Sequence, residues 1–153
     1  MQLIVFIGLQ GSGKSSFYRQ RLVDTHVRLG MDMLRTRHRE RLLFEACLAA
    51  KQPTVIDNTN PTAEERARYV APAKAHHFEV VGCYFESRVA DCTVRNEQRP
   101  AEQVVPRVGL LGTYKRLVCP SPAEGFDRLW YVRTDGAGGF VVEAWKDGPA
   151  DEV

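Results

Sequence analysis

The run Gly8-Leu9-Gln10-Gly11-Ser12-Gly13-Lys14-Ser15 fits the pattern GxxxxGKS, which holds nucleotide phosphates for physical reasons. Glycines at 8, 11 and 13 open backbone conformations closed to other residues. The loop's N–H groups, contributed by Gly8, Gln10, Gly11, Ser12 and Gly13 and continuing through Ser15 and Ser16, can then turn inward at phosphate oxygens. Lys14 adds a point charge at the β and γ phosphates, and Ser15 offers its hydroxyl to Mg²⁺. The expected ligands are therefore ATP and Mg²⁺. A glycine turn that binds nothing is the alternative, and the neighbouring residues argue against it: an apolar strand precedes the loop and a helix follows it, the context the motif requires.

Three further sets of residues could serve an acceptor. Asp32 sits where a helix is expected to begin, so the helix dipole favours its ionised form. Arg35 lies three residues on, which on a helix is the same face. A base and an anion clamp could act together there, although the same spacing also describes an ordinary surface ion pair. Asp57 ends an apolar run in IDNTNP, at the carboxyl edge where parallel sheets hold their ligands. With Asn58, Thr59 and Asn60 it could instead cap the next helix. Arg95 and Arg99 share a helix face and precede a proline. They are either charge-stabilising lid arginines or a solvated face.

The elements that must carry these groups can be read from periodicity. Leu3 to Ile7 reads as the middle strand of a parallel sheet, covered on both faces. Lys14 to about Leu22 reads as a helix, followed by a short extended piece near Val27. Met31 to Ala50 reads as one long helix, with Leu34, His38, Leu42, Leu43, Ala46, Cys47 and Ala50 toward the core. On this reading Arg35, Arg37, Arg39, Glu40 and Arg41 lie mostly elsewhere; the run Arg35, Arg37, His38, Arg39 and Arg41 could line an acceptor channel, but only some of those side chains can share one helix face and most are expected to be solvated. Pro53 to Ile56 is a strand. Pro61 starts a helix with a capping box formed by Thr62 and Glu65. Phe78 to Phe85 is a strand, Val89 to Gln98 and Val105 to Val118 are helices, and 99–104 is a candidate mobile lid. Trp130 to Val132 and Phe140 to Val142 are short strands joined by a turn containing Asp135, Gly136, Gly138 and Gly139. Alternating strands and helices imply an α/β fold: a central parallel sheet with right-handed crossovers, flanked by helices.

Four features coincide: the GxxGSGKS loop, Asp32-x-x-Arg35, IDNTNP, and Arg95-Asn96-x-x-Arg99 followed by Val105-Pro106 and Tyr114-Lys115. Together they resemble polynucleotide 5′-hydroxyl kinases, the P-loop kinase module of nucleic-acid end-healing enzymes. The likeness extends through NPTAEERARYV and PAEGF, covering most of the chain to about Val132. It implies a P-loop kinase fold with a mobile lid. It implies that Asp32 is the general base for a terminal 5′-hydroxyl, that Arg35 engages the acceptor's phosphate and that Arg95 and Arg99 contact ATP. Asp57 would join the active-site network near the acceptor or the metal. Lys14, Asp32, Arg35, Asp57 and Arg99 thus form the expected catalytic set, acting on a 5′-OH end of DNA or RNA. Many relatives carry a 3′-phosphatase with a DxDxT motif. That motif does not occur in this sequence, so the chain is expected to phosphorylate only. The rival readings are a kinase of a nucleoside, sugar or antibiotic, and a non-catalytic ATP-binding switch. A switch has no need of an acceptor-side base.

The 153 residues, 44% apolar and 26% charged, suit one domain over 1–146 with a frayed tail at 147–153. A formal charge of +2 falls short of a protein that wraps long duplex, so nucleic-acid contact should be local. The cysteines at 47, 83, 92 and 119 show neither CxxC spacing nor histidine partners, which suggests reduced thiols and a cytoplasmic location. His26, His76 and His77 default to structural or surface roles. No segment reads as membrane-spanning or as a signal sequence. Oligomeric state is not legible.

Overall fold

The computed structural model describes residues 1–146; the expected tail at 147–153 lies outside them. Six strands form one sheet: β1 (Gln2–Ile7), β2 (Val27–Leu29), β3 (Thr54–Ile56), β4 (Glu79–Phe85), β5 (Arg128–Thr134) and β6 (Phe140–Ala144). Their spatial order is β2-β3-β1-β4-β5-β6. The strands β1 to β5 pair in parallel, and β6 runs antiparallel at the edge. β1 is flanked on both sides, as its apolar run implies, and Leu3 to Ile7 are all buried.

Because successive strand side chains face opposite ways, β1 serves two cores at once. Leu3, Val5 and Ile7 pack with Phe44, Leu48, Tyr69 and Val70 on one face. Ile4 and Phe6 pack with Phe17 and Phe85 on the other. The helices that close these faces are α1 (Lys14–Arg21), α2 (Met31–Leu34), α3 (Arg37–Ala49), α4 (Ala63–Ala75), α5 (Val89–Glu97) and α6 (Arg107–Arg116). Strand, loop and helix thus alternate as the α/β reading requires, in the P-loop kinase fold. The expected capping box at Thr62 and Glu65 is present at the start of α4. Asp135 holds the β5–β6 turn by accepting the N–H groups of Ala137 and Gly139.

The expected continuous helix from Met31 to Ala50 is a correction. The chain breaks at Arg35, whose φ is 71°, and restarts at Thr36, whose hydroxyl accepts the Arg39 N–H at 3.2 Å. The break also changes which face is buried. Glu40, Phe44 and Leu48 point inward, while His38, Ala46 and Ala50 are exposed and Leu42 and Leu43 are nearly half exposed. Glu40 is inward because three polar partners await it there, a requirement that apolar spacing does not encode. The helix expected over Val105–Val118 is likewise shorter at both ends, and Arg99 lies just beyond α5 rather than on it.

Candidate active site

The loop after β1 is fixed from beneath before any ligand is considered. Gly8 N–H donates to Thr59 O at 3.0 Å, and Leu9 N–H donates to Ser87 Oγ at 3.1 Å. Leu9 itself is buried against Cys92 and Leu110. Gly11 and Gly13 have φ of 79° and 100°, conformations that favour glycine. A Cβ on Gly11 would stand 2.4 Å from the Cys92 carbonyl oxygen, so the loop lies directly on α5.

Lys14 opens α1 and folds back over the loop. Its ammonium donates to Gly8 O at 2.9 Å, Leu9 O at 2.7 Å and, more weakly, Ser12 Oγ at 3.4 Å. Burial lowers its pKa from 10.5 to about 8, and the Asp57 carboxylate is the strongest influence in the other direction. A cation held this way is stripped of water and poised to gain a great deal from an anion.

Asp57 emerges just beyond β3 with its N–H paired to Leu29 O, and its side chain is 3% exposed. Oδ2 accepts the Ser15 hydroxyl at 2.9 Å and Arg28 Nε at 2.7 Å. Arg28 Nη2 also donates to Ser15 Oγ at 3.0 Å. The role of Asp57 as a helix cap, left open by sequence, falls to Thr62 instead. Arg28, on β2, was not singled out by sequence reasoning. The only local signal is a basic residue within a short extended run.

Across the cleft, Asp32 occupies the first turn of α2 with its side chain 77% exposed, and Arg99 Nη2 approaches its Oδ2 at 3.4 Å. A cavity of about 540 Å³ is bounded by Lys14, Ser15, Asp32, Asp57, Arg95 and Arg99, among others. Gln10, Gly11, Gly13 and Ser16 line it too. Gly8 and Ser12 support Lys14 from behind. Arg95 donates through Nε to Gly11 O at 2.6 Å, bracing the loop. The base of the 99–104 segment is stapled by Asn96, which accepts Val105 N–H at 3.0 Å and donates to Val105 O at 2.7 Å.

Arg35 does not join this set. Its backbone lies outside the helical region and it is exposed, whereas Arg37 lines the cavity. The i,i+3 geometry expected for Asp32 and Arg35 is lost with the helix break. Arg37 Nη1 is held by Glu40 Oε1 at 3.0 Å and the Tyr69 hydroxyl at 2.9 Å. Tyr69 donates to Glu40 at 2.5 Å. Burial, reinforced by that bond, pushes the Tyr69 pKa up to about 12. Asn58 donates to Glu40 Oε2 at 2.8 Å and accepts the Met31 N–H at 2.9 Å. It thereby ties the network to the turn that carries Asp32.

The profile of an AAA domain family matches residues 3–110. The bifunctional polynucleotide phosphatase/kinase of Schizosaccharomyces pombe is 25% identical over 132 residues, covering 84% of this chain and 32% of that protein. The chain thus spans about a third of the length of that relative. Among solved structures, Chaetomium thermophilum Kti12 in complex with ADP-AlF3 superposes with a TM-score of 0.65 at 20% identity, covering 87% of this chain and 89% of that one. A gluconokinase from Sinorhizobium meliloti 1021 superposes with a TM-score of 0.57 at 20% identity, covering 88% and 83%. These two likenesses concern the fold. With the glycine loop, Lys14 and the strand-end carboxylate all lying within the matched residues, the chain belongs to this AAA domain family.

Proposed function

We propose that the chain is an ATP-dependent kinase that transfers the γ-phosphoryl group to a 5′-hydroxyl end of DNA or RNA. The observation that carries this reading is that Lys14 and Asp32 line one cavity. A phosphate cradle alone would suit any nucleotide-binding protein. A carboxylate at its open side, most of its surface in solvent, suits an alcohol approaching from outside. The polynucleotide phosphatase/kinase relative supports the choice of acceptor.

In this reading the loop amides and Lys14 hold the β and γ phosphates. Asp32 accepts the proton of the acceptor hydroxyl as its oxygen bonds to the γ-phosphorus and the bond to the β–γ bridging oxygen breaks, releasing ADP. Arg99 and Arg95 stabilise charge on the transferring group. Ser15 and Asp57 fit a magnesium ion: both are hard oxygen donors, 2.9 Å apart at the cavity floor. Ser15 and Asp57 would hold such an ion, and it would supply positive charge to offset that of the phosphates. Arg37, already oriented by Glu40 and Tyr69, takes the part first expected of Arg35 and engages the acceptor's phosphate.

Labelled ATP offered with a 5′-OH oligonucleotide, and separately with nucleosides, sugars and aminoglycosides, tests the proposal. Label on the oligonucleotide is the expected result. Label on a small acceptor alone would replace it with a small-molecule kinase. Tight ATP binding with transfer to none of them would mark a nucleotide-dependent switch.

A further inference from the structure

The Ser15–Asp57 pair already has a cation. Arg28 reaches from β2 so that Nε meets Asp57 Oδ2 at 2.7 Å and Nη2 meets Ser15 Oγ at 3.0 Å. These are two of the three oxygens that the Ser15–Asp57 pair could offer a divalent ion. The guanidinium is held against Ser15 and Asp57, two residues that line the cleft. Its side chain is 25% exposed and lies over the Tyr18 ring, 5.9 Å from the centroid. Around Asp57 the arrangement is self-sufficient: Ser15 donates to the carboxylate and accepts from the arginine, and the arginine neutralises the carboxylate.

A divalent ion offered without nucleotide meets two obstacles. It must compete with charge-assisted hydrogen bonds for Ser15 Oγ and for Oδ2 of Asp57, the carboxylate's Oδ1 lying outside those bonds. It must also sit within a few ångströms of a fixed positive charge, with Lys14 adding another nearby, in surroundings that screen poorly. A triphosphate in the loop reverses the balance, because its negative charge compensates both the ion and the guanidinium. We propose that Arg28 is a built-in counter-cation of the Ser15–Asp57 pair, which keeps free divalent ions out of the empty cleft and yields to one only when it comes with a triphosphate. Arg28 is thus a positioning residue that makes metal occupancy conditional on nucleotide. The inference rests on the nucleotide and metal half of the kinase reading and is independent of which acceptor is used.

Mn²⁺ standing in for Mg²⁺, followed by electron paramagnetic resonance of the free ion, measures this without any turnover. With the whole chain and no nucleotide, Arg28→Gln is expected to bind one Mn²⁺ at least tenfold more tightly than the wild type. Arg28→Lys, which keeps the charge, stays near wild type. The double variant Arg28→Gln with Asp57→Asn is expected to lose the gain, which locates the ion at this pair. With a non-hydrolysable ATP analogue present, wild type and Arg28→Gln should converge to within about threefold. Equal Mn²⁺ affinity of wild type and Arg28→Gln without nucleotide would overturn the inference, as would a gain that survives loss of the Asp57 charge. Should Arg28→Gln fail to fold in a thermal melt, wild type alone decides. Protein-bound Mn²⁺ that does not rise when the analogue is added, once the Mn²⁺ held by the analogue free in solution is subtracted, sinks the idea. A chain that passes these tests yet phosphorylates no oligonucleotide would leave Arg28's role standing and remove only the acceptor assignment.

Discussion

Arg99 and Asp32 meet across the cleft at 3.4 Å, joining the turn after α5 to the first turn of α2, 67 residues apart in the chain. The Asp32 side chain is 77% exposed, so the pair contributes little to folding, as solvent-facing ion pairs do. Its value is positional. The arginine sits beside a carboxylate that lines the same cavity as Lys14, so under the proposed function a transferring γ-phosphoryl group would meet base and cation together.

Asp32→Asn and Arg99→Ala should therefore separate catalysis from stability. Asp32→Asn is expected to abolish transfer while ATP affinity stays within a few-fold. Arg99→Ala should lower kcat by on the order of 10³, with its thermal midpoint close to wild type. Single-turnover transfer and calorimetric ATP binding on the same preparations check both. Loss of ATP binding by Asp32→Asn would remove the base assignment.

Lys14 gives the site a pH dependence of known sign. Its pKa in the empty protein is about 8, lowered by burial, whereas a bound triphosphate favours the charged form and raises it. Nucleotide binding above pH 8 must then take up a proton, and Kd should increase about tenfold per pH unit there while remaining flat below. For folding, the unfolded chain holds this proton more tightly, so the cost of burying the charge is present in full below pH 8. It is relieved as pH rises from about 8 to 10.5. Titrations of an ATP analogue at pH 7, 8 and 9 test the binding arm, and a Kd unchanged across that range contradicts it.

Sequence made legible whatever depended on neighbours along the chain. The loop glycines, the strand that precedes them, the Thr62–Glu65 cap and the strand-end position of Asp57 are all local patterns. It failed where distant polar partners decide. Nothing in the spacing of Arg37 and Glu40 announces that Tyr69 and Asn58 lie opposite them. Without that knowledge the helix runs on through Arg35 and its apolar face is misassigned. Arg28 escaped for the same reason, since its partners Ser15 and Asp57 come from two other elements.

Two glycine substitutions test how closely the loop lies on α5. Gly11→Ala forces a side chain into φ 79° and within 2.4 Å of the Cys92 carbonyl oxygen. It should cost about 2 kcal/mol or more and weaken nucleotide binding. Gly112→Ala, inside α6 and with nothing within 4 Å of the added Cβ, should stabilise by about 0.5–1 kcal/mol. Urea midpoints of the two variants against wild type measure the contrast. Equal effects of one sign would mean that the loop is not packed against α5.

The Glu40 network has a structural and a functional side that different substitutions pull apart. Glu40 is 2% exposed and accepts from Arg37, Asn58 and Tyr69. Removing it strands three donors, and Glu40→Ala should cost about 3–5 kcal/mol, since breaking a buried charged pair costs more than losing one bond. Tyr69→Phe removes one donor and leaves the carboxylate two others, so about 1–2 kcal/mol is expected. Arg37 is different, because its side chain is 53% exposed and borders the cavity. Arg37→Ala leaves the buried Glu40 carboxylate with only the neutral donors Asn58 and Tyr69, so it should cost about 1–3 kcal/mol, and it should also raise KM for a 5′-OH oligonucleotide more than it lowers kcat. That combination is the mark of a side chain that holds the acceptor and not the transferring phosphate. A large stability loss with unchanged KM would instead make Arg37 one more strut of the α3–α4 packing.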